Sequence, residues 1–125
     1  MIDPEDAIEV HDALIARFGG SYGIRDRKRL KAVLDRPFST FDQKDLYPTA
    51  IDKAVAILEG FLNAHPFLDG NKRTAYVLMR LFLQEKGLDI QAPQKDKYDL
   101  VMEAAKGKLS SEGIKGWIEE RSVKV

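Results

Sequence analysis

Apolar residues recur along this chain at the spacing of helices rather than of strands. From Ile51 they run Ile51, Ala54, Val55, Leu58, Phe61 and Leu62, the i, i+3, i+4, i+7 rhythm of a buried helical stripe, and His65 is the next position on it. Pro66 disfavours helical backbone at the residue before it, so a helix is expected over 48–64, followed by a short turn. A second apolar run, from Ala75 through Leu83, stops at Lys86-Gly87 and predicts a helix over 71–86, with Asn71 suited to its cap and Thr74 in its first turn. Both stretches are apolar on more than one face. They are expected inside a bundle, with partners on each side.

The flanking stretches supply those partners. Asp3 as cap, Pro4 at the first helical position and Glu5 and Asp6 in the first turn start a helix that Gly19-Gly20 ends. Ile8, His11, Ile15 and Phe18 share one face of it, so His11 is expected to be a buried histidine hydrogen-bonded to a neighbouring helix rather than a catalyst. A second helix is expected over 26–35 with Leu30, Val33 and Leu34 inward, and its run RDRKRLK reads as a solvated face. Segment 36–47 holds Phe38, Phe41 and Tyr47 without helical period and reads as a loop or short flap. Beyond the central pair, 88–90 reads as an extended link and Ala92-Pro93 as a break. Tyr98, Val101, Met102 and Ala105 mark a fifth helix ending at Gly107, and Ser110 or Ser111 caps a last one carrying Ile114, Trp117 and Ile118. Residues 122–125 are expected to fray. The fold class is all-α: one domain over 1–125, a single compact bundle of about six helices, with little or no β structure beyond a short flap.

Composition narrows the function classes. Twenty basic and 20 acidic residues cancel, so no overall field draws the chain to nucleic acid or to a membrane surface. The absence of cysteine excludes a disulfide framework and a thiolate metal site. The opening MIDPEDAIEV is acidic and lacks a signal-peptide pattern, and no apolar run approaches membrane-spanning length; a cytoplasmic location is expected.

Candidate chemistry is concentrated in HPFLDGNKRTA, residues 65–75. The start of the second central helix presents unpaired N–H groups and the positive end of the helix dipole, which favour an anion by roughly 0.3–1 kcal/mol. Lys72 adds a point charge there and Arg73 a planar fork able to hold two phosphate oxygens. Asp69 supplies a carboxylate of the kind Mg²⁺ takes when it is also held by substrate phosphates. His65 is the candidate general base for an attacking hydroxyl, imidazole having its ordinary pKa near neutrality. Each residue alone has an ordinary structural role. Their occurrence within nine residues points to transfer of a phosphorus group from a nucleotide to a hydroxyl.

The same stretch resembles the signature of the Fic/Doc superfamily, and its lysine form resembles the Doc (death-on-curing) toxin branch; HDALIARFGG and GIRD extend the likeness over nearly the whole chain. The resemblance implies a toxin of a toxin-antitoxin system. Its activity would be that of a protein kinase moving the γ-phosphate of ATP, with Mg²⁺, to a protein hydroxyl, a threonine of elongation factor Tu, so blocking translation. It implies His65, Asp69 and Arg73 as catalytic residues, Asp69 as the metal ligand, Gly70, Asn71, Lys72 and Arg73 as nucleotide and phosphate binders, and Phe67 as the anchor of the loop. It places a segment like 36–47 beside the active site. The AMP-transferring members have glycine where this chain has Lys72 and a further arginine where it has Tyr76, which favours phosphoryl over adenylyl transfer. Gly70, where the founding member of the Doc branch has alanine, keeps AMP transfer as the alternative, and a non-catalytic antitoxin-binding module is the third reading. Some members carry an inhibitory helix of their own; here Lys108 stands where its serine or threonine would be, and Glu112 reads as a first-turn acid. The inhibitor is therefore expected on another chain, a Phd-like antitoxin, through which any contact with DNA would be indirect.

Overall fold

The computed structural model describes residues 2–125. Six helices follow in chain order: α1 (Pro4–Phe18), α2 (Arg27–Asp35), α3 (Ala50–Ala64), α4 (Asn71–Glu85), α5 (Gln94–Ala105) and α6 (Ser111–Arg121). Their starts are set by side-chain caps. Asp3 accepts from the Glu5 N–H, Asp26 from those of Lys28 and Arg29, and Ser110 from that of Gly113. Thr49 and Asp52 close a reciprocal capping box at the head of α3. The all-α class and the helix count agree with the sequence pattern.

α3 and α4 form the antiparallel centre. α3 buries Ala54, Val55, Ile57, Leu58, Phe61 and Leu62, and α4 buries Ala75, Leu78, Met79, Phe82 and Leu83. The other helices cover this pair, bringing in Ala7, Leu30, Leu34, Leu100, Ile114 and Ile118, so one continuous apolar core lies around it.

Two details differ from the pattern-based expectation. Residues 122–125 do not fray: β4 (Ser122–Lys124) pairs antiparallel with β3 (Leu88–Ile90), and the bond from Val125 N–H to the Gly87 carbonyl at 3.0 Å extends the ladder. An extended link just after α4 leaves a row of unpaired backbone groups, and the extended backbone at Ser122 supplies their partners. Segment 36–47 holds one 3-10 turn (Arg36–Phe38) and a hairpin of β1 (Thr40–Phe41) and β2 (Lys44–Asp45), but it does not flank the motif. Phe38 packs edge-on against Phe82 late in α4, and Lys53 in the first turn of α3 bonds the Tyr47 carbonyl. Lys53 is near the far end of a 15-residue helix from His65, about 18 Å away along its axis.

Candidate active site

The loop between α3 and α4 is built by three local devices. At its start His65 takes left-handed backbone, φ 47° and ψ 60°, because Pro66 closes off the helical region and histidine tolerates this one. That rotation takes the side chain off the buried stripe on which the sequence placed it and leaves His65 exposed in a cleft. Next, residues 23–26 run antiparallel against 66–68. The N–H groups of Arg25 and Asp26 donate to the Pro66 carbonyl at 2.8 and 3.2 Å, and that of Leu68 to the Gly23 carbonyl at 3.1 Å. Gly23 has φ 123°, and a Cβ there would stand 2.8 Å from the Leu68 side chain. Finally, Phe67 is fully buried, stacked on His11 with centroids 3.8 Å apart and facing Phe61 at 6.2 Å. It anchors the loop, as the resemblance implied.

The cap of α4 is Gly70, in left-handed backbone with φ 75°, and not Asn71. Asn71 lies inside the first turn with its amide turned into the core, where Oδ1 accepts the Phe67 N–H at 3.0 Å and Nδ2 donates to the Phe67 carbonyl at 2.9 Å. A cap without a side chain leaves the first-turn N–H groups free. The first helical bond is from Thr74 N–H to the Gly70 carbonyl at 3.0 Å, and the N–H groups of Asn71, Lys72 and Arg73 have no acceptor among the described residues. Any hold of Asn71 on a phosphate is therefore through its backbone.

Asp69 stands at the mouth of this helix end. Its Oδ2 accepts the Ser21 N–H at 3.0 Å and its Oδ1 the Gly70 N–H at 2.8 Å. The bond from Ser21, then that from Gly70, holds its carboxyl below the usual carboxylate range, with smaller help from His11 and Arg73. The anion is thus fixed in place while remaining open to solvent.

These groups face one cleft of about 830 Å³ that follows the exposed stripe of α4 from Asp69 through Tyr76 and Val77 to Arg80. One wall is the end of α1, Leu14 and Phe18; the other is α5, with Lys97, Tyr98, Val101 and Met102; Arg25 and Leu68 close the end beside His65. The electrical balance here departs from that of the neutral chain. Asp69 is the sole carboxylate on the lining, whereas Arg25, Lys72, Arg73 and Lys97 face it without an ion-pair partner among the described residues. Arg80 is the exception, paired through two bonds of 2.8 and 3.1 Å with Asp89. Burial pushes the Tyr76 phenol up to about 12, so it is a neutral group on this wall.

The structure brings together His65, Asp69, Gly70, Asn71, Lys72 and Arg73, all on the lining of this cleft. Sequence reasoning missed four neighbours. Phe18, which shares the His11 face of α1, and Tyr98, which marks the fifth helix, are 54% and 63% exposed, and Phe18 lies under the Arg73 guanidinium, 4.5 Å from it. Arg25 was hidden in a basic run, and Lys97 has no signal of its own. His11 is buried as expected, but it bonds the loop ahead of α4 rather than a helix.

A family model described as the Fic/DOC family matches residues 1–83, about two thirds of the chain and all of the motif. The chain belongs to the Fic/Doc family. Two relatives agree with this assignment. The Escherichia phage P1 protein named Protein kinase doc is 34% identical over 117 residues, covering 90% of this chain and 88% of that protein. A Mycolicibacterium smegmatis protein named Toxin Doc is 40% identical over 75 residues, 60% of this chain and 58% of that protein, so this match spans less than two thirds of the relative. The Fic/Doc model ends within α4, and the α5 wall of the cleft lies beyond it.

No group of three or more histidine, aspartate or glutamate side chains able to hold a metal occurs among the described residues. A divalent ion at this site would have Asp69 as its protein ligand and take the rest of its shell from a phosphorylated ligand and water. The fixed, ionised, solvent-open carboxylate beside free N–H groups fits Mg²⁺ held in that way. No helix among the described residues is long and apolar enough to cross a membrane.

Proposed function

We propose that this chain is a Doc-like toxin that transfers the γ-phosphate of ATP to a protein hydroxyl, a threonine of elongation factor Tu, and thereby stops translation. The observation that carries the reading is the composition of the cleft. Four cations without an ion-pair partner among the described residues and the bare N-terminus of α4 surround one carboxylate and one exposed histidine, an arrangement suited to a polyphosphate with a metal ion and an incoming hydroxyl. The names of the two relatives, a toxin and a protein kinase, support it.

In this reading the N–H groups of 71–73 and the side chains of Lys72 and Arg73 hold the phosphates, and Phe18 keeps the Arg73 fork in place. Asp69 holds Mg²⁺, which when bound screens the charge of the phosphates. The target hydroxyl enters beside His65 and gives its proton to the imidazole as its oxygen bonds to the γ-phosphorus. The bond from that phosphorus to the bridging oxygen breaks, and ADP leaves with the pair. The inhibitor is a Phd-like antitoxin on a separate chain: Glu112 lies in the first turn of α6 and does not line the cleft. Any DNA contact runs through that antitoxin, and the compartment is the cytoplasm.

AMP transfer is the second reading, kept by Gly70, which stands where the founding member of the Doc branch has alanine. Expression of the chain without antitoxin in a bacterial host tests the toxin reading. Growth and amino-acid incorporation should stop with the wild type and continue with His65→Asn; arrest by both variants would refute an enzymatic cause.

A further inference from the structure

The geometry points to His11 as the positioning residue of the phosphate-binding loop: its bond to the Asp69 carbonyl sets the peptide that aims the Asp69 carboxylate and the start of α4 into the cleft. This rests on the role proposed above for Asp69. His11 is 1% exposed, at the centre of the buried face of α1 with Ala7 and Ile15. An imidazole so placed is costly unless it is hydrogen-bonded, and it is. Nε2 lies 2.8 Å from the Asp69 carbonyl oxygen, which can only accept, so this nitrogen carries the proton. Nδ1 lies 3.1 Å from Oδ1 of Asp12 at the half-exposed rim of α1. The ring lies flat on Phe67, 6° from parallel. The bond at Nε2, the Asp12 side chain beside Nδ1 and the stack on Phe67 together hold the ring in one orientation.

What the ring fixes is a peptide plane. The bond between Asp69 and Gly70 is trans and planar, so a carbonyl drawn inward to α1 obliges the Gly70 N–H to point outward. There it meets Oδ1 of Asp69 at 2.8 Å, while the Ser21 N–H grips Oδ2 at 3.0 Å. One of the two bonds that orient the carboxylate is thus set from beneath by His11. A Cβ at Gly70 would point onto α1, 3.1 Å from the Ile15 side chain and 3.5 Å from Nε2, so the cap lies against the same face as the ring. The contact joins residues 58 apart in sequence, which makes α1 a part of the loop's machinery and not only of the core.

Two substitutions separate the hydrogen bond from the packing. His11→Phe keeps a flat ring over Phe67 without a donor; His11→Gln keeps a donor within reach of the carbonyl without the ring. In the unliganded full chain, amide hydrogen exchange at Ser21 and Gly70 should be about tenfold faster in His11→Phe than in wild type, the scale of one lost hydrogen bond, with the amides of α3 unchanged, and His11→Gln should restore protection. Half-maximal transfer from ATP should need about tenfold more Mg²⁺ in His11→Phe. Wild-type exchange and Mg²⁺ dependence in His11→Phe would overturn the inference. If the wild type transfers nothing, the role of Asp69 falls, and amide exchange alone decides what His11 holds. Should both variants fail to fold, Asp12→Ala, which frees the outer edge of the ring, is expected to speed exchange at the same two amides, and no change there would refute the proposal.

Discussion

Asn71 and Phe67 close a two-bond ring across the motif loop: the Asn71 amide accepts the Phe67 N–H at 3.0 Å and donates to its carbonyl at 2.9 Å, both within the core. Asn71→Ala would leave a buried donor and a buried acceptor unpaired, at a cost of about 2–4 kcal/mol. Asn71→Asp keeps the acceptor but sets a carboxylate against the Phe67 carbonyl and should be at least as damaging. Thermal or urea unfolding checks both, and a stable, inactive Asn71→Ala would instead assign the amide to the ligand.

His65 is exposed and in left-handed backbone, so alanine is a poor probe: it adds strain to the loss of the imidazole. Asparagine tolerates that region. His65→Asn is expected to abolish transfer while stability stays within about 0.5 kcal/mol of wild type. Denaturant midpoints measured beside activity would expose a variant that is inactive only because it is unfolded.

Lys72 and Arg73 should matter for nucleotide binding in different ways. Removing either loses a charge-assisted bond to phosphate, a drop of about 10- to 100-fold in affinity. Phe18→Ala removes the face on which the Arg73 guanidinium rests and should weaken binding by a smaller factor, about two- to fivefold. Titration with a non-hydrolysable ATP analogue would rank the three, and a Phe18→Ala loss as large as that of Arg73→Ala would mean that Phe18 touches the ligand itself.

The Arg80–Asp89 pair ties α4 to β3, and Arg80, followed by the Ile90 N–H and Gln84, holds the Asp89 carboxyl well below the usual carboxylate range. A carboxyl depressed in the folded state contributes stability that is present above its unfolded value, near 4, and is lost as pH falls towards the folded value. Stability should therefore be level in this respect from pH 8 to about 5 and decline below about 4. Because Arg80 is partly solvated, Asp89→Asn should cost only about 1 kcal/mol at pH 7. It should also flatten the acid slope; an unchanged slope would place the acid sensitivity elsewhere.

The sequence made the helices legible because capping and periodicity act over a few residues: Asp3-Pro4, Asp26 and Ser110 start helices where local chemistry alone would start them. The motif was legible for the same reason. What escaped depends on contacts between distant segments. Asn71 suits a cap by its local chemistry, but the buried Phe67 backbone claims its amide and leaves the cap to Gly70. Phe18 ends the apolar stripe of α1 and Tyr98 lies on that of α5, and only the docking of α1 and α5 against α4 makes them cleft walls. Residues 122–125 look like a fraying tail until β3 is beside them. Segment 36–47 is beside the site only by analogy with the family, and the packing of Phe38 on Phe82 and of Tyr47 on Lys53 sets it at the other end of the bundle.

The central claim is that the γ-phosphate, not AMP, leaves this cleft for a protein hydroxyl. Antitoxin-free protein incubated with elongation factor Tu, Mg²⁺ and ATP, followed by intact-mass analysis of the target, tests it most directly. The expected result is the gain of one phosphate with the wild type and none with His65→Asn. A gain of AMP would contradict phosphoryl transfer and return the chain to the adenylyl-transferring pattern despite Lys72, and an unmodified target would remove elongation factor Tu from the account.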